Sequence, residues 1–258
     1  MHDMNRDDHL GAAVSTTLDG SEATAATDHS RRSIARAVDS TALSARGLEE
    51  RRLIHRNDSV RQHADAFREL RTKLLAAGDN RNSVILVAPV AHGCGGSFVA
   101  RNLSVAFAFD ETRSALLVDC DSRHPAQHAA LDVEATGGGL MDYIDDPAMD
   151  ISRIVYATGI PRLRLVPSGR VRETTGERFT SFRMRTMIDS LRSRFDDAQL
   201  IIDGPPVQGS PDARILSALA DHVVLVAGYG RVTTEQINQA AANFEPEKLV
   251  GVVFNNTP

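Results

Sequence analysis

The chain has 258 residues, 42% of them hydrophobic, with 29 basic against 34 acidic side chains. That leaves room for one α/β domain and a tail. The net charge of −5 excludes a global basic field for nucleic acid. No apolar run reaches the roughly 18 residues that span a bilayer, and no apolar signal-peptide core opens the chain.

Two cysteines, Cys94 and Cys120, form no paired framework, which fits a reducing cytoplasm. They read as two small free thiols rather than a redox pair. Nearly all the positive charge is arginine, Lys73 and Lys248 being the only lysines.

Residues 1–45 are rich in Ala, Ser, Thr and Asp and lack a sustained apolar period, so a disordered tail is expected there. The domain is expected over residues 46–258. Gly47–Ile54 is expected to form a short helix. A longer one is predicted over about residues 60–77, where Phe67, Leu70, Leu74 and Leu75 share a face. Asp65, Arg68 and Arg71 form a charged ridge on that helix. From the residues alone it reads as a solvated face with ion pairs inside the helix.

Six short apolar runs follow: Val84–Val87, Ala115–Val118, Leu163–Val166, Leu200–Ile202, Val223–Ala227 and Leu249–Phe254. Helical patterns separate most of them. Near-continuous apolar runs suit parallel strands covered on both faces. Regular β-α alternation predicts a doubly wound, mostly parallel sheet, with ligands bound beyond the carboxyl ends of the strands.

The first run leads into Ala88-Pro89-Val90-Ala91-His92-Gly93-Cys94-Gly95-Gly96-Ser97-Phe98, and a helical pattern follows. Strand, glycine-rich turn and helix is the setting of a phosphate-binding loop. Where Gly-x-Gly-Lys-Ser/Thr would place a lysine, this chain has Gly96. Asp119 and Asp121 follow the second run and Asp203 follows the fourth. Carboxylates at strand ends can hold Mg²⁺ or orient an attacking hydroxyl, and Ser97 is placed to offer its hydroxyl to the metal. A single acid in such a turn would more simply cap the next helix.

Gly93–Phe98 with Asn102-Leu103, Leu117–Pro125 and Ile201–Val207 together resemble the Walker A, A′ and B motifs of bacterial tyrosine kinases (BY-kinases), relatives of the MinD/ParA ATPases. Ala66–Thr72 resembles that family's Glu-Ala-Phe-Arg-x-Leu-Arg-Thr helix, Ile160–Gly169 its Leu-Pro-Ala-Gly strand end, and Gly251–Asn255 its late strand. The likeness runs over about residues 60–257.

The resemblance implies a P-loop NTPase fold using ATP and Mg²⁺. Gly93, Cys94, Gly95, Gly96, Ser97, Phe98 and Asn255 would line the nucleotide, with Asn255 reading adenine. Ser97, Asp119 and Asp203 would serve the metal, and Asp119, Asp121 and Asp203 the chemistry. Asp65, Arg68 and Arg71 would mediate ring assembly, as a homo- or hetero-oligomer. The resemblance also implies a role in capsule or exopolysaccharide export. There the chain would be cytoplasmic, docked on a membrane chain-length-determinant protein and so peripheral to the inner membrane.

The departures point toward a weakened enzyme. Gly96 stands for the lysine and His92 for the usual proline. Charge-assisted hydrogen bonds from that lysine are worth about 1.5–3 kcal/mol each. Their loss is expected to weaken nucleotide binding by one to two orders of magnitude, at about 1.4 kcal/mol per tenfold, and phosphoryl transfer by more. Arg101, one turn past Ser97, is expected to face solvent. No tyrosine cluster follows the last strand; the tyrosines are Tyr143, Tyr156 and Tyr229, so autophosphorylation of such a cluster is not expected. Three readings stay open: an impaired, pseudokinase-like regulatory or scaffolding protein, an active kinase or ATPase with a divergent loop, and a MinD/ParA-like positioning ATPase.

Overall fold

The computed structural model describes residues 42–55, 61–78, 82–171 and 176–256. All of them fall in one compact unit, Thr41–Pro258. The predicted tail lies outside the described residues except for 42–45.

Seven strands form one sheet in the order β3-β4-β2-β5-β1-β6-β7. They are β1 (Val84–Pro89), β2 (Ser114–Asp119), β3 (Tyr156–Ala157), β4 (Leu163–Val166), β5 (Ala198–Asp203), β6 (His222–Gly228) and β7 (Leu249–Asn255). Every pairing is parallel except β3 with β4. All six runs read from the sequence are strands. The two-residue β3 was not foreseen, because two residues are too short for a periodicity and pairing with β4 alone defines them.

Side chains alternate between the faces of the sheet. Ile85, Val87, Leu117 and Leu165 pack under α1 (Ala45–Glu50), α2 (Arg61–Ala77) and α3 (Gly96–Ala108). Leu86, Ala88, Leu116 and Val118 pack on the opposite side. There they meet α5 (Leu140–Asp145), α7 (Phe182–Arg194), α8 (Asp212–Ser217) and α9 (Thr234–Ala241). The short α4 (Gln127–Ala130) and α6 (Gly176–Phe179) complete the helices among the described residues, with a 3₁₀ turn at Ile151–Ile154. β1, β5 and β6 are buried along their whole length, which is why they read as unbroken apolar runs.

The first predicted helix is shorter than expected. It starts on a Ser44 cap and stops at Glu50. The Leu48 carbonyl accepts from both Arg51 and Leu53 amides, and Arg52 takes φ 55. That closure turns Leu53 and Ile54 into the core. Buried Asn102 of α3 then pins them: its Oδ1 accepts the Ile54 amide at 2.8 Å and its Nδ2 donates to the Arg52 carbonyl at 3.2 Å.

α2 lays Phe67 and Leu74 on the core, with Leu70 and Leu75 partly buried against it. On its outer face Arg68 pairs with Asp65 at 2.8 Å. Arg71 turns inward and donates to the Ala106 carbonyl at 2.7 Å. No helix among the described residues is long and apolar enough to cross a membrane.

Candidate phosphate-binding site

β1 ends at Pro89, in register with Val226 of β6, and the chain then turns sharply. Val90 donates to the Val226 carbonyl at 2.9 Å and Cys94 to the Ala91 carbonyl at 3.2 Å. Gly95 caps α3 in the left-handed region, with φ 85 and ψ 26. A side chain there would also collide with the Asn255 amide, whose Nδ2 donates to the Cys94 carbonyl at 3.2 Å. The first-turn amides of α3, on Gly96, Ser97 and Phe98, have no helical carbonyl to donate to and form an anion-binding terminus.

Position 96 takes a side chain only if its neighbour shifts. A Cβ on Gly96 would lie 2.7 Å from Pro89 Cδ and 2.8 Å from Pro89 Cγ. The pyrrolidine ring takes up the start of the path that a lysine stem would follow. Gly96 and Pro89 at the strand end therefore form one packing unit.

β2 and β5 are neighbours in register, and Asp119 stands opposite Asp203. Both carboxyls are buried. Asp119 Oδ1 accepts from the Asp121 amide at 3.2 Å, and its Oδ2 from the Ala126 and Gln127 amides at 3.2 and 3.1 Å. Asp119 thus closes the turn and caps α4, the simpler role foreseen for a lone acid. Asp121 Oδ1 accepts from the His124 amide at 3.2 Å.

Asp203 Oδ2 accepts from Gln127 Nε2 at 2.6 Å, and the Ser97 hydroxyl lies near enough to favour the ionised carboxyl. Its Oδ1 is buried with no partner. Burial and the neighbouring Asp203 push the Asp119 carboxyl well above the usual carboxylate range. Burial likewise pushes Asp203 up to about 6, against the lowering effect of its Gln127 and Ser97 hydrogen bonds. Two carboxylates side by side in a dry interior cannot both carry full charge without a cation.

Arg101 is that nearby cation. It was expected to face solvent; instead it is only 9% exposed. It reaches back toward the strand ends, where Nη1 donates to Gln127 Oε1 at 3.2 Å. Its charge feels both Asp203 and Asp119. Gln127 also donates to the Ser97 carbonyl at 3.0 Å. The amide of Gln127 thereby joins α3, Asp203 and Arg101 in one buried network.

The loop glycines, Cys94, Ser97, Asp203 and Asn255 converge as expected. Phe98 joins them through its backbone amide alone: its ring packs edge-on against Phe67 of α2, centroids 6.1 Å apart, because α3 turns this side chain toward the helical layer. Cys94 and Cys120 are free and buried. Burial, together with the acids, raises the Cys120 thiol well above its usual value, which makes it a poor nucleophile. The rings of His92 and His124 meet in a tilted contact, centroids 4.7 Å apart and planes at 47°.

Gln127, Pro89 and Arg231 were not singled out from the sequence. A proline closing a run that reads as a central strand was a signal for Pro89. Gln127 and Arg231 had none.

A Mg²⁺ accompanying nucleotide would be held here by the Ser97 hydroxyl and, directly or through water, by Asp203 and Asp119. The orphaned Asp203 Oδ1 fits that role. Such an ion supplies charge neutralisation of the phosphates. The chain's own residues orient Ser97 through Asp203 and shield the acids from bulk water.

Sheet order, glycine-rich turn and paired strand-end acids define a P-loop fold of the MinD/ParA kind. No family model matches the chain. Its sequence is similar to tyrosine-protein kinase CpsD of Streptococcus agalactiae, 29% identical over 191 residues covering 73% of this chain and 81% of that protein. It is similar also to tyrosine-protein kinase YwqD of Bacillus subtilis, 28% identical over 209 residues covering 80% and 86% of the two chains.

Among solved structures, the chimerical protein CapA2B2 superposes with a TM-score of 0.67 at 27% identity, covering 75% of this chain and 84% of that one. The septum site-determining protein MinD of Pyrococcus horikoshii, complexed with Mg-ADP, shares the fold at a TM-score of 0.52 and 20% identity, covering 67% and 70%. Within that fold, then, the chain is similar in sequence to bacterial tyrosine-protein kinases over most of the length of CpsD and YwqD, with Gly96 at the place a Walker A loop gives to lysine.

Proposed function

We infer that this protein is a BY-kinase-like component of exopolysaccharide or capsule export that regulates or scaffolds, binds ATP weakly at most, and transfers phosphate poorly or not at all. The observation that carries this is the Gly96–Pro89 contact. A Cβ at position 96 would stand 2.7 Å from the Pro89 ring, so this position lacks the charge of a lysine and gives its stem no room unless the ring shifts. The network of Arg101, Gln127, Asp119 and Asp203 supports the same reading, since it gives the acids a resident cation and donor without nucleotide.

The partner would be the cytoplasmic end of a membrane chain-length-determinant protein, which would hold the chain at the inner membrane. The exposed Asp65–Arg68 pair on α2 would serve assembly, with Arg71 fixing α2 on α3. The likeness to CpsD and YwqD over most of their length supports this assignment. The purified chain is expected to show no ATP hydrolysis and no tyrosine labelling above background. Capture of the membrane partner is expected to survive Asp119→Asn and Asp203→Asn. Activity that Asp119→Asn abolishes would sink the reading.

A working kinase with a divergent loop is the second reading. The orphaned Asp203 Oδ1 favours it, because a site used only as structure has no need of an unpaired carboxylate oxygen.

A further inference from the structure

We propose that Arg231 gives a bound nucleoside polyphosphate the cationic contact that position 96 cannot. The inference rests on reading the loop as a surviving, if weak, polyphosphate site. Its basis is where Arg231 lies.

β6 ends at Gly228, and the chain turns there, with the Arg231 amide donating to the Gly228 carbonyl at 3.0 Å. The Arg231 side chain then runs along the phosphate loop. Its Nη1 is 3.4 Å from the point where Gly93 would carry a Cβ. Gly228 permits this path: a Cβ there would stand 2.9 Å from Arg231 Cδ and 3.0 Å from Cys94 Cα. Gly228 therefore opens the path along which one arginine reaches the loop, where it comes into van der Waals range of Gly93.

The guanidinium is exposed, and no hydrogen bond or ion pair engages it among the described residues. An unpaired guanidinium beside the open amides of a helix start is a recognition geometry for phosphate oxygens, which it can bind in bidentate fashion. The other candidate, Arg101, is committed to Gln127 and the acids behind the loop. Lys73 lies on α2, paired with Glu69 at 2.7 Å, and Lys248 is engaged by the Ser217 carbonyl at 3.1 Å. Arg231 is an exposed cation beside the loop that no ion pair or side-chain hydrogen bond engages among the described residues. Unlike a lysine rooted in the loop, it approaches from the rim. It can hold phosphates without being placed to follow charge onto a leaving or attacking oxygen.

The test is binding of ATP, ADP and AMP with Mg²⁺ to the full chain, by calorimetry or competition with a fluorescent ATP analogue, in wild type, Arg231→Ala, Arg231→Lys and Arg231→Glu. The expected result is about tenfold weaker ATP binding for Arg231→Ala and about a hundredfold for Arg231→Glu. Arg231→Lys is expected to retain most of the affinity, and the penalty to shrink from ATP to AMP. Circular dichroism checks that each variant folds. Equal ATP affinity in wild type and Arg231→Ala overturns the role of Arg231 while leaving the polyphosphate site standing. No ATP binding by wild type at millimolar concentration overturns both, and leaves the scaffolding role untouched.

Discussion

Replacing Gly96 by alanine adds one methyl group at the first residue of α3. In an open helix that change is stabilising by up to about 1 kcal/mol, since glycine costs that much relative to alanine. Here the new Cβ meets Pro89 at 2.7, 2.8 and 3.1 Å from Cδ, Cγ and Cβ. The ring is buried at a strand end between β5 and β6 and has no flexible tail to swing aside. Overpacking of this kind costs about 1–3 kcal/mol, so the clash wins and Gly96→Ala destabilises by about 1–2 kcal/mol.

Truncating the partner separates the effects. Pro89→Ala has its own cost, but in that background Gly96→Ala becomes neutral or stabilising. A double-mutant cycle is expected to return a coupling of about 1–3 kcal/mol, read from urea denaturation monitored by circular dichroism. Additive effects within about 0.5 kcal/mol would refute the idea that Pro89 keeps position 96 closed.

Three further outcomes follow from the buried network and the α2 ridge. Asp203 has its folded value raised from 3.8 to about 6, so its contribution to stability is full below 3.8 and lost as pH rises through 6. Asp203→Asn should therefore flatten that part of the pH–stability profile and stabilise the protein at pH 7.5 by up to about 3 kcal/mol; a less stable variant at that pH would contradict the burial argument. Arg101→Met strips the acids of their cation and Gln127 Oε1 of its donor, at a cost of about 1–3 kcal/mol. Denaturation should show that cost shrinking in the Asp203→Asn background, and an unchanged cost would break the link between Arg101 and the acids. On α2, Asp65→Ala and Arg68→Ala remove an exposed pair worth under about 1 kcal/mol. Sedimentation is expected to show them reducing assembly with little change in melting, whereas Arg71→Ala costs about 1–2 kcal/mol through its lost bond to the Ala106 carbonyl.

Much of the fold was legible because its signals are local. Buried parallel strands read as unbroken apolar runs, so Val84–Val87 and Val223–Ala227 were found from hydrophobicity alone. The helix from Arg61 to Ala77 followed from the spacing of Phe67, Leu70 and Leu74. The acids and glycines were legible because strand ends and tight turns demand them. What escaped depended on contacts between distant segments. Gln127 lies eight positions after Asp119, yet it matters because it meets Asp203 and Arg101. Arg101 looked like a surface residue because nothing local states that the turn after β2 folds over α3. Phe98 was assigned to the nucleotide by its neighbours in sequence, while the helix phase sends its ring to Phe67. Pro89 carried a visible signal whose meaning depended on knowing that its ring would face Gly96.

The central claim is that the chemistry is impaired by one closed position in an otherwise assembled site. The measurement that tests it most directly compares ATP hydrolysis and tyrosine phosphorylation by the purified wild type with those of the Pro89→Ala/Gly96→Lys double variant, Gly96→Lys alone serving as control. The account predicts no transfer above background for wild type, none for Gly96→Lys alone, and measurable hydrolysis once the ring is removed and the lysine supplied. Robust turnover by the wild type, lost on Asp119→Asn, would contradict it.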